Sequence, residues 1–127
     1  MSAVRRLAAL AVAALIVACA RDSEYAHVVD GGNADRGRGL IRSYGCGSCH
    51  TIPGVRGANA FVGPNLDGIA SRSYIAGVLP NDPENMVRWL KNPPAVDSKT
   101  AMPNLFLTER DARDIAEYLY RLKARGE

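Results

Sequence analysis

Cys46-Gly47-Ser48-Cys49-His50 is the stretch of this 127-residue sequence where residue type and spacing together point to a chemistry. Two cysteines separated by two residues and followed at once by a histidine suit covalent attachment of a c-type haem. The spacing lets each sulfur form a thioether with one of the two vinyl groups, while His50 projects beneath the porphyrin toward the iron. Two other chemistries use such a pair. A redox dithiol of the thioredoxin type wants a strand ahead of the motif and a βαβ setting, and this sequence has no convincing strand. A structural zinc site wants four ligands, and the remaining candidates are the distant His27 and Cys19.

A second axial ligand would have to come from Met86, Met102 or His27, with Met1 lost in processing. Met86 falls on the apolar face of a predicted helix, where a methionine ordinarily fills core volume. Met102 lies 52 residues beyond His50, in an irregular stretch between Ala101 and Pro103 and just before a final helix, from which a side chain can reach an iron. Met102 is the residue expected to ligate.

The elements that must position these groups are helices. One is predicted over residues 34–44, with Asn33 as N-cap and Leu40, Ile41 and Tyr44 on one face. Gly37 and Gly39 weaken it by about 1 kcal/mol each, a cost that makes sense if one of them lets another helix approach closely. Residues 51–79 are rich in Gly and Pro without sustained periodicity, and are expected to form a loop with at most a short helix. Loops of this length in a compact domain are usually functional; here it would wrap a cofactor whose apolar surface replaces missing core. A middle helix starts at the N-cap Asp82 with Pro83 and Glu84 in its first turn, and stops at about Asn92 before Pro93-Pro94. Met86, Trp89 and Leu90 form its apolar face. The last helix opens on a Thr108/Asp111 capping box and carries Ile115, Tyr118, Leu119 and Leu122 at helical spacing.

Residues 1–18 read as an export signal: Arg5 and Arg6, an apolar run from Leu7 to Val17, then Ala18 before Cys19. The run is short for a bilayer span. Ile16-Val17-Ala18-Cys19 resembles the lipobox of bacterial lipoproteins, which would make Cys19 a lipidated N-terminus; a non-lipidated exported protein or an uncleaved anchor are the alternatives. The paired arginines are a weak twin-arginine signal, and ordinary secretion fits better because haem is attached after an unfolded chain crosses the membrane. The three cysteines are thereby all assigned, one to lipid and two to haem. Residues 20–32 are polar and end in Asp30-Gly31-Gly32, as a tether would. Thirteen such residues reach at most about 45 Å extended and roughly 20 Å as a coil, which would hold a domain over 33–123, with a tail over 124–127, on the periplasmic side of a bacterial membrane. Without Arg5 and Arg6 the chain has fourteen basic residues against thirteen acidic, a net of +1, and two propionates would bring it near -1. No basic stripe interleaved with aromatics is present, so nucleic acid is not an expected partner.

Cys46-Gly47-Ser48-Cys49-His50, Gly63-Pro64-Asn65-Leu66-Asp67-Gly68 and Ala101-Met102-Pro103, in this order, resemble the class I, His/Met cytochromes c. The resemblance runs over about 33–123. It implies an all-α fold of three main helices and long loops around one haem c per chain, with the first and last helices crossing near the haem edge and Met102 on the side opposite His50. It further implies that the Pro64 carbonyl accepts a hydrogen bond from His50 Nδ1, that Arg72 neutralises a propionate, that Trp89 packs beside the methionine sulfur, and that Tyr118 helps close the helix crossing. Gly45 to Ile52, Gly77-Val78-Leu79-Pro80-Asn81, Pro83-Glu84-Asn85-Met86 and Trp89 look like the cytochrome domain fused to subunit II of some haem-copper terminal oxidases, though no copper-binding domain precedes it in this sequence.

The function implied is that of a monomeric, lipid-tethered one-electron carrier between redox proteins, serving membrane-bound respiratory complexes and not an enzyme. A thioether ligand favours Fe(II) over Fe(III) relative to a second histidine, which suits delivery to a late acceptor such as a terminal oxidase. The alternatives are a cytochrome subunit fixed in a larger dehydrogenase or oxidase complex, and a peroxidase or gas-binding haem protein whose sixth site is open.

Overall fold

A computed structural model of the chain describes residues 28–122. Helix α1 (Ala34–Ser43) starts at Asn33, whose side chain accepts from the Arg36 amide at 2.9 Å and so satisfies a first-turn N–H that has no partner within the helix. It ends at Gly45, where a φ of +72° turns the chain sharply into a 3-10 turn over Cys46–Ser48. Farther on come a second 3-10 turn, Ile69–Ser71, and a small antiparallel hairpin of β1 (Tyr74–Ile75) and β2 (Leu79–Pro80), with Ile75 opposite Leu79. Helices α2 (Pro83–Lys91), α3 (Pro93–Val96) and α4 (Glu109–Tyr120) complete the order.

The expected helices are present with their expected caps. Asp82 accepts from the Asn85 amide at 2.8 Å, and Thr108 Oγ1 from the Asp111 amide at 3.1 Å. The carboxylate of Asp111 makes a different bond from the one a capping box predicts: it accepts from the Tyr44 hydroxyl of α1 at 2.7 Å. Pro93 does more than stop α2, since a proline is also well placed at a first helical position and opens the one-turn α3.

Helices α1 and α4 cross at Gly37. A Cβ there would lie 2.0 Å from the carbonyl oxygen of Asp114, so only glycine admits this approach. Gly39 faces open space and takes no part in it. The buried carboxylate of Asp114 closes the same crossing, accepting from Arg36 Nε at 2.7 Å, Arg36 Nη2 at 2.8 Å and the Asn33 amide at 2.7 Å. Around this joint Ile41, Met86, Val87, Leu90, Ile115 and Leu119 form the core.

Two expectations need correcting. Residues 29–32, expected to belong to the tether over 20–32, pack on the domain: Val29 is 2% exposed, its amide donates to Glu117 Oε2 at 2.9 Å, and Gly32 is pressed against Glu117. A lone Val28-Val29 pair carries no period, which is why it reads as linker. The loop over 51–79 contains the β1–β2 hairpin, whose strands are too short to alternate and whose turn places Ala76 as well as Gly77 at positive φ. Residues 1–27, with Cys19, His27 and the expected signal, and the tail over 124–127 lie outside the described residues.

Candidate functional site

The sharp exit from α1 at Gly45 sets the motif. Ser48 Oγ donates to the Gly45 carbonyl at 2.7 Å, and the amides of Cys49 and His50 both donate to the Cys46 carbonyl, at 3.2 and 3.0 Å. The two thiols sit half-buried on one tight turn and are not bonded to each other. Burial pushes the Cys46 thiol above its ordinary pKa, with Cys49 adding in the same direction. A catalytic dithiol needs the reverse shift, and no strand leads into the motif, so the thioredoxin-like alternative fails. Among the described residues no three His, Cys, Asp or Glu side chains converge as metal ligands.

The following loop folds back over the motif. Thr51 bridges Asn59, the Ile52 amide donates to the Ala58 carbonyl at 3.0 Å, and Thr51 Oγ1 donates to the Ala60 carbonyl at 2.9 Å. The Gly63 amide then donates to the Cys49 carbonyl at 2.7 Å and the Leu66 amide to the Thr51 carbonyl at 2.9 Å. These bonds lay Gly63-Pro64 against the imidazole of His50. Nδ1 of His50 stands 2.7 Å from the Pro64 carbonyl oxygen. A carbonyl only accepts, so Nδ1 carries the proton and Nε2 presents its lone pair. Gly63 forms the floor under the ring: a Cβ there would lie 2.5 Å from Cε1 and 2.8 Å from Nδ1.

Of the described methionines, Met86 is 2% exposed on the inward face of α2, while Met102 lies outside any helix, half-buried at the edge of the core. The Met102 amide donates to Thr100 Oγ1 at 3.2 Å. Trp89 is buried in the core that Met102 packs against. Arg72 is exposed, and its Nη2 donates to the carbonyls of Asn65, at 2.5 Å, and Asp67, at 3.1 Å, so it braces the segment that carries Pro64.

Tyr118 makes a bond that the resemblance does not imply. Its hydroxyl donates to the Pro53 carbonyl at 2.6 Å and lies over Gly54, fastening α4 to the loop behind His50. Gly37, Arg36 and Tyr44 join the two helices directly. Sequence reasoning gave no role to Gly63, Thr51, Asn81 or Tyr120. Gly63, Thr51 and Asn81 stand inside the quoted motifs, whereas nothing in the sequence marks Tyr120.

A tight turn with two thiols, an adjacent histidine whose outer nitrogen is fixed, and a glycine floor beneath the ring fit a covalently bound haem, whose iron takes nitrogen and thioether donors. Comparison with known proteins agrees. Residues 34–123 match the cytochrome c family model. The chain is 31% identical over 91 residues to cytochrome c oxidase subunit 2 of Alkalihalophilus pseudofirmus, a match covering 71% of this chain and 26% of that protein. It is 32% identical over 98 residues to cytochrome c oxidase subunit 2 of Bacillus subtilis, covering 74% of this chain and 28% of that protein. The chain therefore spans about a quarter of the length of these curated relatives. Cytochrome c2 from Rhodobacter sphaeroides has a similar structure, with a TM-score of 0.57 and 25% identity over 74% of this chain and 98% of that one. With its Cys46-Gly47-Ser48-Cys49-His50 turn, its all-α class I fold and a family match over most of its length, the chain belongs to the cytochrome c family of electron-transfer proteins, whose cofactor is haem c.

Proposed function

We propose that this chain is a membrane-tethered one-electron carrier serving a respiratory chain and passing electrons toward a terminal oxidase, with Cys46 and Cys49 forming the thioethers and His50 and Met102 ligating the iron. The observation that carries the ligation is the 2.7 Å contact between His50 Nδ1 and the Pro64 carbonyl. It fixes the tautomer and the plane of the ring, and raises the basicity of Nε2. Met102 supplies the second ligand from an irregular stretch whose side chain is not committed to a helix face. With His50 and Met102 both holding the iron, no position would be left for a substrate, and the chain would move an electron instead of transforming a bound molecule.

Bound haem c supplies an iron that alternates between Fe(II) and Fe(III). The Met102 thioether, a soft and weak donor, raises the potential relative to a second histidine. Arg72 balances a propionate with the part of its guanidinium that the Asn65 and Asp67 carbonyls do not use. Trp89, buried in the core that Met102 packs against, would keep water from the Met102 sulfur.

Two features support the location and the acceptor. Residues 1–19 have the layout of a lipoprotein signal ending in Cys19, and a lipid there would raise the concentration of the domain at membrane partners. The relatives named above are oxidase subunits in which a domain of this kind is part of a longer chain. The same relatives favour a second reading, a fixed subunit of an oxidase-like complex. Both are tested by preparing the native protein from membranes, reducing it, and following its reoxidation by oxidase-containing membranes. The carrier reading expects cyanide-sensitive reoxidation by a protein that purifies free of large subunits, and Cys19→Ala should move it to the soluble fraction. Stable co-purification with large subunits would favour the fixed subunit, and failure to be reoxidised would refute the oxidase assignment.

A further inference from the structure

Asn81 stands between β2 and α2, and its side-chain amide has no unused donor. Both hydrogens of Nδ2 are given to backbone carbonyls, Ile69 at 2.8 Å and Arg72 at 2.7 Å, and Oδ1 accepts from the Tyr120 hydroxyl at 2.8 Å. The two carbonyls flank the Ile69–Ser71 turn, so one side chain clamps both ends of the segment that presents Arg72. The Asn81 amide donates to the Ser73 carbonyl at 3.0 Å, which holds the clamp against the same strand of chain. Tyr120 is 4% exposed on the last turn of α4, and burial, reinforced by the charge of Asp82, keeps its phenol protonated and donating. From Arg72 the path continues through its guanidinium to the Asn65 carbonyl, one residue from Pro64, whose carbonyl orients His50.

We propose that Tyr120 and Asn81 are positioning residues for the haem site: they tie the end of the terminal helix to Arg72 and so hold its guanidinium in register with the His50 side of the cofactor. A hydrogen-bonded chain of this kind couples its two ends because the Asn81 side chain at its centre has both donors and its acceptor engaged. The proposal rests on the reading of Arg72 as the partner of a propionate. A cation held close to the cofactor favours the added electron, so loosening Arg72 lowers the reduction potential without touching a ligand.

The test is a redox titration of the holoprotein for Arg72→Gln, Tyr120→Phe, Asn81→Ala and the Arg72→Gln/Tyr120→Phe double variant, with thermal unfolding recorded on each. Arg72→Gln should weaken reduction about tenfold, about 59 mV for one electron. Tyr120→Phe and Asn81→Ala should shift the potential in the same direction by a smaller amount, and Tyr120→Phe should add nothing on the Arg72→Gln background. If Arg72→Gln shifts the potential while Tyr120→Phe and Asn81→Ala change only the unfolding temperature, the two residues are merely structural and the proposal falls alone. An equal Tyr120→Phe shift on both backgrounds also overturns it, since the effect then bypasses Arg72. If Arg72→Gln leaves the potential unmoved, the propionate reading has failed and the proposal falls with it.

Discussion

Gly37 of α1 rests directly on the peptide of Asp114 in α4, close enough that a Cβ would sit 2.0 Å from the Asp114 carbonyl oxygen. The two helices at opposite ends of the described chain meet through backbone at this point, and the Asp114 carboxylate then binds Arg36 and Asn33 of the first. Gly37→Ala should therefore force the helices apart and destabilise the fold by about 2–3 kcal/mol. Gly39→Ala, which meets nothing within 4 Å, should instead stabilise it by up to about 1 kcal/mol. Urea unfolding of the two variants checks the pair, and equal effects would contradict the crossing.

Three tyrosines tie stability to pH on the alkaline side. Burial raises the phenols of Tyr120 and Tyr118 above the ordinary value of 10.0, and the hydrogen bond to Asp111 raises Tyr44. Above that ordinary value the unfolded chain loses phenolic protons that the folded chain keeps. Their contribution is thus full below about pH 10 and is lost as pH rises toward the folded values. Tyr120→Phe should be less stable than wild type at neutral pH by about 1–2 kcal/mol, through the lost bond to Asn81, and should lose less stability between about pH 9 and about pH 11. Unfolding midpoints at several pH values measure both effects.

The caps and the haem-binding turn were legible because they are local. Asn33, Asp82 and Thr108 cap their helices as their positions imply, and Cys46 to His50 states its chemistry within five residues. The Gly37 approach was anticipated in kind but not in position, since only the α4 backbone distinguishes it from Gly39. Tyr118 and Asn81 were not legible. Their partners, Pro53 and the carbonyls of Ile69 and Arg72, are backbone groups of irregular segments, and no residue type marks a carbonyl as an acceptor. Val29 was hidden for a related reason, because its burial depends on Glu117, 88 residues away.

Gly63 has no room for a side chain. In Gly63→Ala the new methyl would press on Cε1 of His50, where the built Cβ lies at 2.5 Å, and the ring would tilt away from the Pro64 carbonyl. The expected result is a lower yield of holoprotein and a weaker iron-imidazole bond, a loss in the range of the 10- to 100-fold effects seen when partners that orient metal ligands are removed. Ferric absorption spectra and the rate of carbon monoxide binding to the ferrous protein report it. Unchanged spectra would mean that the ring does not depend on this floor.

The central claim is that Met102, and not the buried Met86, completes the coordination of an iron with no open site. Its most direct measurement is the near-infrared sulfur-to-iron absorption of the ferric holoprotein, read together with carbon monoxide binding, in wild type, Met102→Ala and Met86→Ala. The band should be present in wild type with slow carbon monoxide binding, and absent in Met102→Ala with rapid binding. In Met86→Ala it should persist, although stability falls by about 2–4 kcal/mol from the cavity left in the core. A wild-type protein that lacks the band and binds carbon monoxide readily would contradict the account and point to an open, gas-binding or peroxidatic site.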